Sequence, residues 1–120
     1  MPLTIHSAKG KKFRFSVEVA STVEQQSMGL MFRRSLGPNK GMIFPFDPPQ
    51  FASFWMKNTL IPLDMIFIRP DGKIARIATA EPLDETPVPS GDTIAAVLEI
   101  RGGRSAQLGI RAGDRVDWTR

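Results

Sequence analysis

A chain of 120 residues and 13.3 kDa allows one domain with one core, which should bury roughly two-thirds of the surface its unfolded form exposes. Cysteine is absent, which excludes disulfides, thiolate zinc sites, iron–sulfur clusters and a cysteine nucleophile. The net charge of +4 divides into a surplus of five over residues 1–40, a deficit of four over 41–100 and a surplus of three over 101–120, so the basic excess sits at the chain ends.

In chain order, Phe13, Phe15, Val17 and Val19 alternate with Arg14, Ser16 and Glu18, the period of a half-buried strand whose apolar face is core. Ser21-Thr22-Val23-Glu24 fits the Ser-x-x-Glu capping box and predicts a helix to about Met31, with Val23, Gln26, Ser27, Leu30 and Met31 within reach of one face. Gly37 to Gly41 and Asp47-Pro48-Pro49-Gln50 read as breaks, with Met42-Ile43-Phe44 between them and a strand over Phe51 to Met56 after them. Leu63 to Ile68 is an apolar run interrupted only by Asp64, which suits a strand covered on both faces. Arg69-Pro70-Asp71-Gly72 is the clearest hairpin turn, leading into a strand over Ile74 to Ala80. Glu81 to Asp92, with three prolines and four carboxylates, predicts an exposed loop. Thr93 to Ile100 alternates again, a short helix spans Arg104 to Leu108, and Arg115 to Trp118 is a last strand. The expected fold is mainly β (α+β): a small antiparallel barrel or curved sheet of about six or seven strands, with two short helices, in a single domain over 1–120.

Most familiar chemistry is excluded by composition. His6 is the only histidine and there is no tyrosine; no Gly-x-Ser-x-Gly elbow occurs. Carboxylates alone suit zinc or copper poorly, and Asp84, Glu85 and Asp92 lack the spacing of a calcium loop. Gly102-Gly103-Arg104 before a helix resembles an anion-binding N-terminus but follows no phosphate motif, so it reads as an ordinary turn. No metal or cofactor is expected, and no catalytic residue is assigned. Nucleic acid is disfavoured: only Lys11 to Phe15 interleaves bases with aromatics, and there the rings face the core. No apolar run approaches the ~20 residues that cross a bilayer.

The segment that calls for a functional account is Phe54-Trp55-Met56-Lys57-Asn58-Thr59 with Pro62-Leu63-Asp64. In a strand, Trp55 and Lys57 would share a face, an indole two residues from an ammonium. Asp64 in an apolar strand needs a partner, and Lys57 or the amides of Asn58–Thr59 are nearest in sequence. Two readings stand: a structural Lys57–Asp64 pair or turn staple, and a concave site with Trp55 stacking and Lys57, Asn58 and Asp64 in polar contact. Met28, Met31, Phe32 and Arg33 form a second cluster, in which methionine reads as core filler and Arg33 as a solvated charge or a partner for the acidic middle of the chain.

Gly29-Leu30-Met31-Phe32-Arg33, Gly41-Met42-Ile43-Phe44, Phe54 to Thr59, Pro62-Leu63-Asp64, Val97-Leu98-Glu99 and Leu108-Gly109-Ile110 … Gly113 to Val116 resemble, in order and spacing, the domain of unknown function 192 family, over about residues 12–118. The resemblance implies a small, mainly β bacterial or archaeal domain with no assigned reaction. It also implies that a shared site would lie at Arg33, Trp55, Met56, Lys57, Asn58, Thr59, Pro62, Asp64 and Glu99. Many relatives carry a leader peptide, so an exported, periplasmic protein and a cytoplasmic one both fit. Relatives often carry cysteines at the Pro82–Pro89 loop; here there are none, which puts any metal or redox role of that loop in doubt.

Three functions are weighed. The first is a binding module for a small ligand or peptide segment, using Arg33, Trp55, Lys57, Asn58, Thr59, Asp64 and Glu99. The second is an acid–base enzyme using Asp64 or Glu99 with Lys57. The third is an interaction protein whose basic ends meet a polyanion or anionic membrane surface.

Overall fold

A computed structural model describes residues 1–119. The elements follow in the order β1 (Pro2–His6), β2 (Lys12–Val19), α1 (Val23–Met28), β3 (Lys40–Gln50), β4 (Ser53–Phe54), β5 (Leu63–Ile68), β6 (Ile74–Ala80), β7 (Val88–Pro89), β8 (Ile94–Arg101), α2 (Arg104–Leu108) and β9 (Arg115–Trp118). Seven strands form one curled sheet, a half-barrel, in the order β6-β5-β8-β3-β2-β1-β9, while β4 and β7 pair separately. All pairings are antiparallel except β2 with β3. That parallel pair needs a crossover, which α1 and the chain through residue 39 provide. The curl brings the two edge strands together at one point. Lys73, just before β6, bridges Arg115 of β9, and Ile74 N–H and Val116 N–H donate to the carbonyls of Asp114 and Gly72.

In place of the one core expected from length, two apolar clusters lie on opposite faces of this sheet, because its central strands are covered on both sides. The concave one gathers Leu3, Ile5, Phe15, Val17, Ile43, Ile66, Ile68, Leu98 and Val116 from strands at both ends of the order. The other packs Met42, Phe44, Leu63, Met65, Phe67 and Val97 against Ala20, Leu30, Leu36 and Met56 from the connecting segments. β5 and β8, at the centre of both, therefore lack the polar alternation of a one-sided strand, and every residue of β5 is buried.

Several local expectations change. The capping box is shifted by one residue: Thr22 Oγ1 accepts from Gln25 N–H, and Gln25 Oε1 accepts from Thr22 N–H. Gln serves as well as Glu at that position, so both registers satisfied the pattern. The helix ends at Met28 rather than Met31, stopped by Gly29 at φ 48°, and buries none of its own residues; Val23 is 78% exposed. Val19 is 41% exposed, so the core face of β2 ends at Val17. Asp47-Pro48-Pro49-Gln50 does not end β3. The strand passes through it, with a cis Asp47–Pro48 bond and a register shift between Pro45↔Ala96 and Gln50↔Ile94 that loops four residues off the sheet. Finally, 51–56 keeps only the two residues of β4 as strand; it pairs with β7, which lies inside the 81–92 loop.

Candidate functional site

The looped-out stretch of β3 and the crossover both stand over the outer face of the sheet, and a cleft of about 370 Å³ lies between them. One wall is α1 and its exit, from Gln26 to Met31. Gln26 pins this wall down, donating from Nε2 to the carbonyls of Ala20 (3.0 Å) and Pro45 (2.9 Å). The opposite wall is Gln50 to Trp55. It is backed by the 81–92 loop, where Ser90 exchanges bonds with Ala52: Ala52 N–H donates to Ser90 Oγ (3.0 Å) and Ser90 N–H to Ala52 O (2.7 Å). Phe54 is the hub of the wall, edge-on to Phe44, Phe46 and Phe67 at centroid distances of 5.2, 6.3 and 6.4 Å. Thr59 closes one side and Glu99 forms part of the floor.

Glu99 is the distinctive group. It sits on β8 opposite Met42 of β3 and Met65 of β5, with the outer core on its own face. It is 4% exposed, and among the described residues no donor reaches its carboxyl. Burial alone pushes that carboxyl up to about 8, since taking a carboxylate from water disfavours its charged form. Among the described residues no other titratable group lines the cleft, where Gln26, Ser27, Gln50, Ser53 and Thr59 supply further polar side chains.

Of the seven residues expected at a site, the fold brings Trp55, Thr59 and Glu99 to this cleft. Trp55 is 47% exposed at the rim, and Lys57 sets its Nζ 5.3 Å from the indole centroid without lining the cleft. Asn58 takes a left-handed conformation (φ 56°) and accepts at its carbonyl from Phe32 N–H (2.8 Å); Thr59, 5% exposed, does the same for Leu83 N–H (2.9 Å). Phe32 and Leu83 are themselves left-handed, so three non-glycine residues of this kind meet at one turn. Arg33 lies away from the cleft, forked onto the carboxylate of Glu18, which holds that carboxyl below its usual value.

Asp64 faces the concave side, in step with Ile66 and Ile68, and its expected partners are not the ones it has. Neither Lys57 nor the Asn58–Thr59 amides reach it. Oδ1 accepts from Thr79 Oγ1 (2.7 Å) and Gly103 N–H (3.0 Å), and Oδ2 from Ser105 N–H (2.9 Å). Gly103, the N-cap of α2, has no side chain to cap with, so Asp64 caps that helix from a distant strand. The anion-binding look of Gly102-Gly103-Arg104 thus has a ligand within the chain. His6 is also far from the cleft, its Nε2 2.7 Å from Asp117 on the β1–β9 edge.

What sequence reasoning missed is the α1 wall and the phenylalanines that face it. Met28 and Met31 line the cleft rather than filling the core, as do Gln26, Phe46 and Phe51. Phe51, at 69% exposed after two prolines, was the available signal. Among the described residues no helix is long and apolar enough to cross a membrane.

Comparisons with known proteins place this architecture. No functionally curated protein matches the chain. A protein of unknown function from Novosphingobium aromaticivorans DSM 12444 is 49% identical in sequence and superposes with a TM-score of 0.94, over 98% of this chain and 84% of that one. A candidate transcription regulator from Sinorhizobium meliloti 1021 is 38% identical, also with a TM-score of 0.94, over 97% of this chain and 91% of that one. The family profile that matches, described as Uncharacterized ACR, covers residues 4–118, and the chain belongs to the domain of unknown function 192 (DUF192) family.

Proposed function

We propose that the protein is a binding module, a single β domain whose cleft between the α1 exit and the 50–55 wall takes a small ligand or a peptide side chain. The observation that carries this reading is a buried carboxyl without a partner, Glu99, at the floor of an aromatic-walled cleft of about 370 Å³. A lone buried carboxyl costs free energy that packing would avoid, whereas an occupant that bonds to it would offset the cost. Trp55 contacts the ligand from the rim and Thr59 from the closed side; Lys57 tunes the indole; Asn58, Arg33 and Asp64 act on the scaffold around it. The test is mapping of a neutral and charged fragment library by amide NMR. Hits should move Thr59, Glu99 and the Trp55 indole N–H together. Hits confined to the neighbouring groove lined by Met1, Pro49, Ala95 and Trp118 would overturn the reading.

One observation favours an enzyme as the second reading: a carboxyl pushed up to about 8 holds its proton at neutral pH and is suited to general acid work. It would act alone, since Asp64 faces the other side of the sheet. Turnover of a bound fragment that is lost in Glu99→Gln would favour it over simple binding.

A further inference from the structure

We infer that the group the cleft is built to take is an organic cation, an ammonium or guanidinium on an apolar stem, whose charge pairs with Glu99. This rests on the cleft being a ligand site and names what fills it. Three features point the same way. Among the described residues no donor reaches Glu99, so an entering donor finds it free, and a cationic one recovers most of the cost of a buried carboxylate. The walls above it are aromatic and thioether groups, Phe46, Phe54, Trp55, Met28 and Met31, which suit a methylene stem and attract a cation through ring faces and sulfur. The rim indole already holds an ammonium, that of Lys57 at 5.3 Å.

Among the described residues no competing charge lines the cleft. α1 contributes Gln26 and Ser27, the opposite wall Gln50 and Ser53, and the turn Thr59; the sheet neighbours on β3 and β5 are Met42 and Met65. The two cations expected at a site lie outside the cleft and are engaged elsewhere, Arg33 with Glu18 and Lys57 on Trp55. At neutral pH the empty cleft holds Glu99 protonated, so a cation that enters releases this proton to solvent and leaves an ammonium–carboxylate pair. Binding should then strengthen as pH rises. A ligand that accepts a bond from the neutral acid would bind evenly up to about pH 8 and weaken only above it, which makes pH dependence a diagnosis of ligand class.

The experiment is calorimetric titration of the protein with butylammonium, butyrate, butyramide and Nα-acetyl-lysine N-methylamide at about pH 6, 7 and 8, with Glu99→Gln in parallel and amide NMR locating each compound at Thr59, Glu99 and the Trp55 indole. Buffers of different ionisation enthalpy count the protons released. Butylammonium or the lysine amide should gain roughly tenfold in affinity per pH unit below about pH 8, with close to one proton released. Glu99→Gln, checked for folding by circular dichroism, should remove that dependence and cost at least about tenfold at pH 8. Tighter binding of the lysine amide assigns a peptide side chain, and tighter binding of butylammonium a free amine. Butyrate or butyramide binding at Thr59 and Trp55, with neither cation bound, would overturn the cation and keep the cleft. If none of the four perturbs these residues, both the cation and the cleft reading fall.

Discussion

Asp64 and Glu99 stand on neighbouring strands, one pair apart in register, since Asp64 opposes Ile100 and Met65 opposes Glu99. Both carboxyls are buried, at 1% and 4% exposed. They point to opposite faces of the same sheet and meet opposite circumstances. Asp64 is saturated by two backbone amides and a hydroxyl, and so ties α2 to the sheet. Glu99 meets only apolar neighbours and a cleft, and is pushed up to about 8. A buried carboxylate with its donors in place is part of the scaffold; one without them marks where the fold leaves room for something else.

The largest effect that would sharpen this contrast is on pH-dependent stability. The folded form holds the Glu99 proton far more tightly than the unfolded chain, where the carboxyl titrates near 4.5. Its contribution to stability is therefore fully present below about 4.5 and is lost as pH rises toward about 8. The limiting slope is about 1.4 kcal/mol per pH unit, or about 4 kcal/mol over the window. The difference between urea unfolding of the wild type and of Glu99→Gln, taken from pH 5 to 8, should show this slope; a flat difference would mean that Glu99 is satisfied after all.

Next in size is Asp64→Ala, which strips a hydroxyl and two amides of their acceptor and should cost about 3 kcal/mol in the same assay, with little dependence on added butylammonium. Loss of less than about 1 kcal/mol would break the contrast from the other side, by showing that the cap is dispensable. The smallest effect is expected for Trp55→Ala. A half-exposed rim residue should cost about 0.5 kcal/mol or less in stability, yet weaken butylammonium binding several-fold. Destabilisation as large as that of Asp64→Ala would make Trp55 a core residue.

Much of the scaffold was legible because it obeys local rules. The Arg69–Gly72 turn, the fully buried run of β5 and the span of α2 follow from turn chemistry, apolar continuity and terminal glycines, all of which act within a few residues. Part of the site was legible for another reason: Trp55 and Thr59 stand out as an indole and a hydroxyl around a polar turn, and Glu99 is a position that the family resemblance implies. The wall of Met28, Met31 and Phe51 was not, because only tertiary structure brings α1 against the looped-out end of β3, and methionine reads equally as filler or as lining. Asp64 was misassigned its partners for a related reason. Nearest in sequence was taken for nearest in space, while its amide donors come from 39 and 41 residues further on. Proline misled in β3, since its missing donor is harmless where a strand loops away from its neighbour.

The turn at Asn58 and Thr59 has a dynamic consequence. Phe32, Asn58 and Leu83 each hold a conformation that side chains disfavour, and the bonds from Phe32 to Asn58, Leu83 to Thr59 and Met56 to Asp84 keep them there. Undoing one bond removes a reason for the next residue to stay left-handed. Three segments far apart in sequence should therefore loosen as one cooperative unit, with the amides of Phe32, Met56 and Leu83 exchanging with solvent at a common rate set by that unit rather than by each segment's own exposure.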